Sequence, residues 1–183
     1  MAVTLAILVK DQAGVLSRIA NSFSRRGYNI ASIAAGLTQD PDVTRITVKL
    51  DVDHDQVPLV IRQLYKQPDV LMVKELLKAE SFARELMLVK VKADAGVRSE
   101  IVTIVDIFRA GIVDVSFGTV TIQITGVSSK LDAFIEMLRP YKLMELVRTG
   151  NIAISRGDSM LDVRMVDATV DLDALAAEDD EDD

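Results

Sequence analysis

The sequence predicts an α+β chain in which one β-α-β-β-α-β unit is written twice in tandem, and three observations carry that reading. Short β-rich apolar runs alternate with segments of helical periodicity, in the same order in both halves. Arg25-Arg26-Gly27 returns 84 residues later as Arg109-Ala110-Gly111, and Ile46 returns 76 residues later as Ile122. The core must be aliphatic, because 49% of the 183 residues are apolar while only five Phe, three Tyr and no Trp are present.

In the first unit, residues 3–9 form an apolar run that ends in the turn-like Lys10-Asp11-Gln12-Ala13-Gly14. Val15, Leu16, Ile19, Ala20 and Phe23 then recur at helical spacing, and Gly27 stops the helix. Residues 28–37 resume as strand, and 45–52 alternate Ile46, Val48, Leu50 and Val52 with polar residues. Thr38-Gln39-Asp40-Pro41-Asp42 between them reads as a hairpin loop. Asp53 or Asp55 is expected to cap a helix carrying Val57, Val60, Ile61 and Leu64, which Gln67-Pro68-Asp69 ends before a last strand at 70–77.

The order restarts after Arg84: strand 86–93, helix 97–109, strands 112–117 and 119–125, helix 129–138, and a closing strand region at 142–154. The second copy is eight residues shorter between Gly111 and Ile122, a difference expected in the hairpin loop. Each unit is thus a ferredoxin-like four-stranded antiparallel sheet with both helices on one face. The expected divisions are 1–79, 80–158 and an acidic, disordered tail at 159–183. The uncovered sheet faces call for a partner sheet, from the sister copy or from another chain, which favours a dimer.

Composition removes most chemistry. Without Cys there is no disulfide scaffold, thiolate metal site or cysteine nucleophile, and His54 alone cannot build a His-rich metal site. The run at 2–9 is too short for a spanning helix and lacks a basic leader, so the chain reads as soluble, with no membrane association. Of 28 acids, nine lie between Asp167 and Asp183 with no base among them, leaving 19 acids against 21 bases elsewhere. That balance argues against nucleic acid as a ligand. Asp51, Asp53 and Asp55 imitate a calcium loop but lack its glycine and glutamate, and no metal site is expected. Arg25 and Arg26 are a basic pair that would suit an anion or a solvated helix end.

The informative stretch is 11–33. Gly14 stands where the strand passes into a helix, so the N–H groups of Gly14, Val15 and Leu16 have no intrahelical acceptor and offer an anion seat. An α-amino acid needs a carboxylate seat, an ammonium acceptor and a side-chain pocket. The N–H groups serve the first, Asp11 and Asn29 the second, and Val15, Leu16 and Ile30 suit a branched aliphatic side chain. The same residues also fit a plain strand-to-helix turn with a solvated strand end.

Asp11-Gln12-Ala13-Gly14-Val15-Leu16-Ser17-Arg18, Phe23-Ser24-Arg25-Arg26-Gly27-Tyr28-Asn29-Ile30, Arg84-Glu85-Leu86-Met87-Leu88-Val89-Lys90-Val91 and Arg148-Thr149-Gly150 together resemble the small, regulatory subunit of acetolactate synthase (acetohydroxyacid synthase), whose N-terminal half is an ACT domain. The resemblance spans about residues 2–158. It implies a non-catalytic subunit of branched-chain amino acid biosynthesis that binds and activates the large catalytic subunit and confers feedback inhibition by valine, leucine or isoleucine. It implies an effector site of Asp11, Gly14, Val15, Leu16, Asn29 and Ile30 at the interface of an ACT homodimer. Thiamine diphosphate, Mg and FAD would then belong to the catalytic partner, with no cofactor on this chain, in a bacterial cytoplasm or a plastid stroma. Lys10 departs from the family pattern, and the second copy, with Gly96-Val97-Arg98, lacks the Gly-Val-Leu turn.

Two other classes compete. A stand-alone amino-acid-sensing ACT protein would act on a different partner. An RNA-binding module shares the element order but needs aromatics on its central strands, and 45–51 has none.

Overall fold

A computed structural model describes residues 2–163. Two units result: Met1–Phe82 together with the chain from Ala153 onward, and Ala83–Ile152. The tail expected from 159 is described only to Val163, and 164–183 lie outside the described residues.

The first unit runs β1 (Ala2–Lys10), α1 (Val15–Ser24), β2 (Asn29–Leu37), β3 (Val43–Asp51), α2 (Val57–Tyr65) and β4 (Val70–Glu75), with sheet order β2-β3-β1-β4. Period-2 alternation puts Val3, Leu5, Ile7 and Val9 of β1 beside Ile46, Val48 and Leu50 of β3 on one face. Helical spacing aims Val15, Ile19 and Phe23 of α1 and Val57, Val60 and Leu64 of α2 into the same core. Gly27, at φ 72°, ends the first helix by the left-handed route that a Cβ would oppose, and Tyr28 N–H returns to Phe23 O at 3.1 Å. The expected Asp cap of α2 is absent. One 3-10 turn, His54–Gln56, precedes that helix, and Gln56 N–H donates to the main-chain oxygen of Asp53 without a side-chain cap bond.

The other face of this sheet is also partly buried, with Ala6, Leu8 and Thr47 shielded. Cover comes from the chain's own return at β9 (Ile152–Ser155): Ala153 O accepts from Arg45 Nη2, Arg156 N–H donates to Glu80 O at 2.8 Å, and Ala153 and Leu161 are buried. The sequence pattern merged 142–154 into one strand. Gly150, at φ 75°, instead separates the strand Leu143–Arg148 from β9.

The second unit repeats the plan with β5 (Ser81–Lys92), α3 (Arg98–Ile107), β6 (Gly111–Val115), β7 (Thr119–Gly126), α4 (Ser128–Leu138) and β8 (Leu143–Arg148), in the order β6-β7-β5-β8. The missing residues are not all in the loop. β6 has five residues where β2 has nine, so the whole hairpin is shorter, while the core register Val89↔Ile122 still matches Ile7↔Ile46.

One polar cluster lies within this unit. Glu85, 5% exposed, accepts from Arg148 Nε and Nη2, both at 2.7 Å, and from Ser128 Oγ at 3.1 Å. Arg148 Nη1 also reaches Asp132 at 2.6 Å. The guanidinium holds the Glu85 carboxyl below the ordinary carboxylate range, and that carboxylate in turn raises the pKa of Arg148.

Candidate functional site

The 11–16 turn follows from β1 ending against its neighbours. Lys10 N–H donates to Asp69 O and Asp11 N–H to Asp42 O, which anchors the strand end on both sides. Gly14 then takes φ 85°, ψ −7°, a left-handed conformation that suits glycine, and α1 begins at Val15. Among the described residues, the N–H groups of Gly14, Leu16 and Ser17 have no acceptor, as the first turn of a helix requires. Val15 N–H is already spent on Gln12 O at 3.3 Å, and its side chain, 3% exposed, belongs to the core. Val15 therefore positions the turn and does not line a pocket. Leu16, 46% exposed, is the apolar side chain that the turn presents.

Sequence reasoning missed Arg18. One helical turn after Gly14, its Nη1 lies 3.2 Å from where a Gly14 Cβ would stand, and its Nε donates to Asp69 at 3.0 Å. Its Nη2 also pairs with Asp69, which balances the guanidinium charge, so Arg18 adds the free Nη1 edge as a further donor beside the open N–H groups. The signal was present in Gly-Val-Leu-Ser-Arg, because i and i+4 share a helix face. Asp11 is exposed, and its Oδ1 accepts from Thr44 Oγ1 at 2.9 Å, so part of its acceptor capacity is already engaged.

Asn29 and Ile30 are not beside this turn. The register pairs Asn29 with Asp51, and Ala2 also pairs with Asp51, whereas Leu37 pairs with Thr44 next to the end of β1. The two groups stand at opposite ends of one sheet, separated by about 25 Å at roughly 3.3 Å per strand residue. Asn29 is exposed, and Ile30 is half-buried against the helix-side core. Arg25 and Arg26 close the far end of α1, away from the seat. Among the described residues no three His, Asp or Glu side chains gather as metal ligands; Asp51 ends β3 and Asp53 opens the 3-10 turn. His54, exposed, lies 3.4 Å from Glu75. Among the described residues no helix is long and apolar enough to cross a membrane.

The second unit fills its own equivalent of the seat. Arg98, in the place of Leu16, donates from Nη2 to Ala93 O at 2.9 Å, Ser116 O at 2.7 Å and Phe117 O at 2.6 Å. Val97 and Arg98 N–H both return to Asp94 O at 3.1 Å. Replacing Arg98 by Ala removes the donor to the carbonyl of buried Ala93, while Ser116 and Phe117 at the exposed hairpin can turn to water, and is expected to cost about 1 kcal/mol while leaving any ligand response of the first unit unchanged. Denaturant titration read beside ligand titration checks both halves of that expectation.

Residues 5–72 match the family described as the AHAS small subunit-like ACT domain, and residues 84–157 match the small subunit of acetolactate synthase. Over 154 residues the chain is 42% identical to the acetolactate synthase small subunit of Mycolicibacterium smegmatis, an overlap of 84% of this chain and 91% of that one. The acetolactate synthase isozyme 3 small subunit of Escherichia coli is 39% identical over 158 residues, covering 86% and 97%. The crystal structure of the small subunit from Thermotoga maritima superposes with a TM-score of 0.82 at 35% identity, covering 87% of this chain and 99% of that one.

Proposed function

This chain belongs to the acetolactate synthase small-subunit family, and from that premise we propose that it is the non-catalytic regulatory subunit of acetolactate synthase, binding and activating the large catalytic subunit and making it sensitive to a branched-chain amino acid. The observation that carries the effector site is the donor-rich turn itself: unpartnered Leu16 and Ser17 N–H groups, with Arg18 Nη1 beside Gly14. A free amino acid's carboxylate fits that arrangement, and Leu16 faces its aliphatic part.

The ammonium end requires a second chain. Asn29 lies at the far end of its own sheet, but β2 is an outer strand with no charged residue in Asn29–Leu37. Such an edge is a template for strand pairing. Antiparallel pairing of two β2 edges brings the Asn29 end of one copy to the Leu37 end of the other, the end where the 11–16 turn lies. The site residues Asp11, Gly14, Leu16, Asn29 and Ile30 then converge across a homodimer, with Val15 as their support. Effector bound there favours one arrangement of the paired sheets, and the catalytic subunit, carrying thiamine diphosphate, Mg and FAD, differs in activity between arrangements. The named relatives are bacterial, which supports a cytoplasmic setting.

Calorimetric titration with valine, leucine and isoleucine, together with co-purification with the large subunit, tests the reading. Binding of none of the three, or no association, contradicts it; a sensor that binds an amino acid but not the large subunit serves another partner. Ala35→Lys, at an exposed edge position, is expected to convert the dimer to monomer and abolish the effector response in the same preparation, as sedimentation equilibrium and inhibition curves would report.

A further inference from the structure

We propose a second ligand site in the first unit, a groove on the sheet face opposite the helices that takes a small monocarboxylate with an apolar body on the guanidinium of Arg45. The groove has a volume of about 610 Å³, within the range of small-molecule sites. Leu8, Val43, Ile154 and Leu161 supply apolar wall, and Arg45 lies among them.

Arg45 is the observation that points to a ligand. Its Nη2 donates to Ala153 O at 2.6 Å and its Nε is shielded from solvent without an acceptor, so the donor that a ligand in the groove meets is Nη1, which has no hydrogen bond, and among the described residues no carboxylate pairs with the guanidinium. Burial lowers its pKa, the direction expected of a cation whose lost hydration is only partly replaced. A half-buried guanidinium left with an open donor beside a groove is a place where an outside carboxylate gains charge-assisted hydrogen bonds. Gly36, opposite Arg45 in the β2–β3 register, keeps space open there, since a Cβ on it would meet nothing within 4 Å. Asp40 and Asp162 also line the groove. The charge of Asp40 disfavours a second anionic group on the ligand.

No residue of the 11–16 turn lines this groove, and the proposal does not depend on the assignment of that turn. The probe is 3-methylbutanoate, titrated into the full chain by calorimetry, with 3-methylbutanamide as its uncharged counterpart. The acid is expected to bind saturably and the amide about tenfold or more weaker, the scale of hydrogen bonds to a charged group. Arg45→Met is expected to remove acid binding. Ile154→Glu, at a position 59% exposed and so safe for folding, is expected to do the same by placing a carboxylate in the groove. Gly14→Asp is expected to leave this binding unchanged. Equal affinity for acid and amide, indifference to both groove variants, loss of binding in Gly14→Asp, or no saturable binding overturns the proposal. So does a drop in sedimentation mass with Arg45→Met, which would make the groove a contact between copies.

Discussion

Gly14→Asp is expected to abolish the response to branched-chain amino acids while leaving association with the catalytic subunit intact. The left-handed φ of 85° costs a side chain there about 1 kcal/mol, which the turn can tolerate. The larger effect is electrostatic. A Gly14 Cβ would lie 3.2 Å from Arg18 Nη1, so a carboxylate at position 14 pairs with Arg18 and occupies the seat from within. Losing two or more charge-assisted hydrogen bonds weakens effector binding by about a hundredfold or more. Gly14→Ala introduces the strain without the charge and is expected to shift the half-maximal inhibitory concentration by about tenfold or less. Inhibition curves on the reconstituted complex separate the two. A Gly14→Asp protein inhibited at the same concentration as the parent would remove the seat from the account.

Arg148→Met is expected to destabilise the second unit by about 3–5 kcal/mol, because Glu85 would remain a buried carboxylate without its bidentate partner. Adding Glu85→Gln is expected to restore much of the loss, since the charge goes with its partner. The pH dependence has a definite sign. The folded pKa of Glu85 is lowered, so its stabilising contribution is complete above the ordinary glutamate value near ~4.3 and disappears as pH falls through the lowered one. Glu85→Gln therefore flattens the acid limb of the stability profile. Hydrogen exchange of residues 83–152 under increasing denaturant measures these changes in the unit that carries them. A loss for Arg148→Met below about 1 kcal/mol, the scale of a surface pair, contradicts this reading.

The fold was largely legible because periodicity is a direct consequence of burial. Ile46, Val48 and Leu50 alternate since one face of β3 meets the helices, and Val15, Ile19 and Phe23 recur at i+4 for the same reason. Residues whose position depends on a distant partner were not legible. Nothing local reveals that Ala153 and Leu161 return to shield the back of the first sheet, or that Arg45 is left beside them with an open donor. The tip deletion was misplaced because composition marks a loop but not how far a hairpin retracts, and here β6 shortened along with its turn. At the site, the strand-to-helix turn makes open N–H groups at Gly14 and Leu16 legible, whereas Val15 spends its N–H on Gln12 O and its helical phase places its side chain in the core. Arg18 lay within the quoted motif and escaped notice because its role depends on Asp69, 51 residues away.

Residue-resolved hydrogen exchange of the full chain with and without saturating valine tests the central claim most directly. The account predicts that the Leu16 and Ser17 amides, open in the free chain, gain strong protection together with Asn29 of β2. Valine binding that saturates while those amides exchange at their free rates would contradict it.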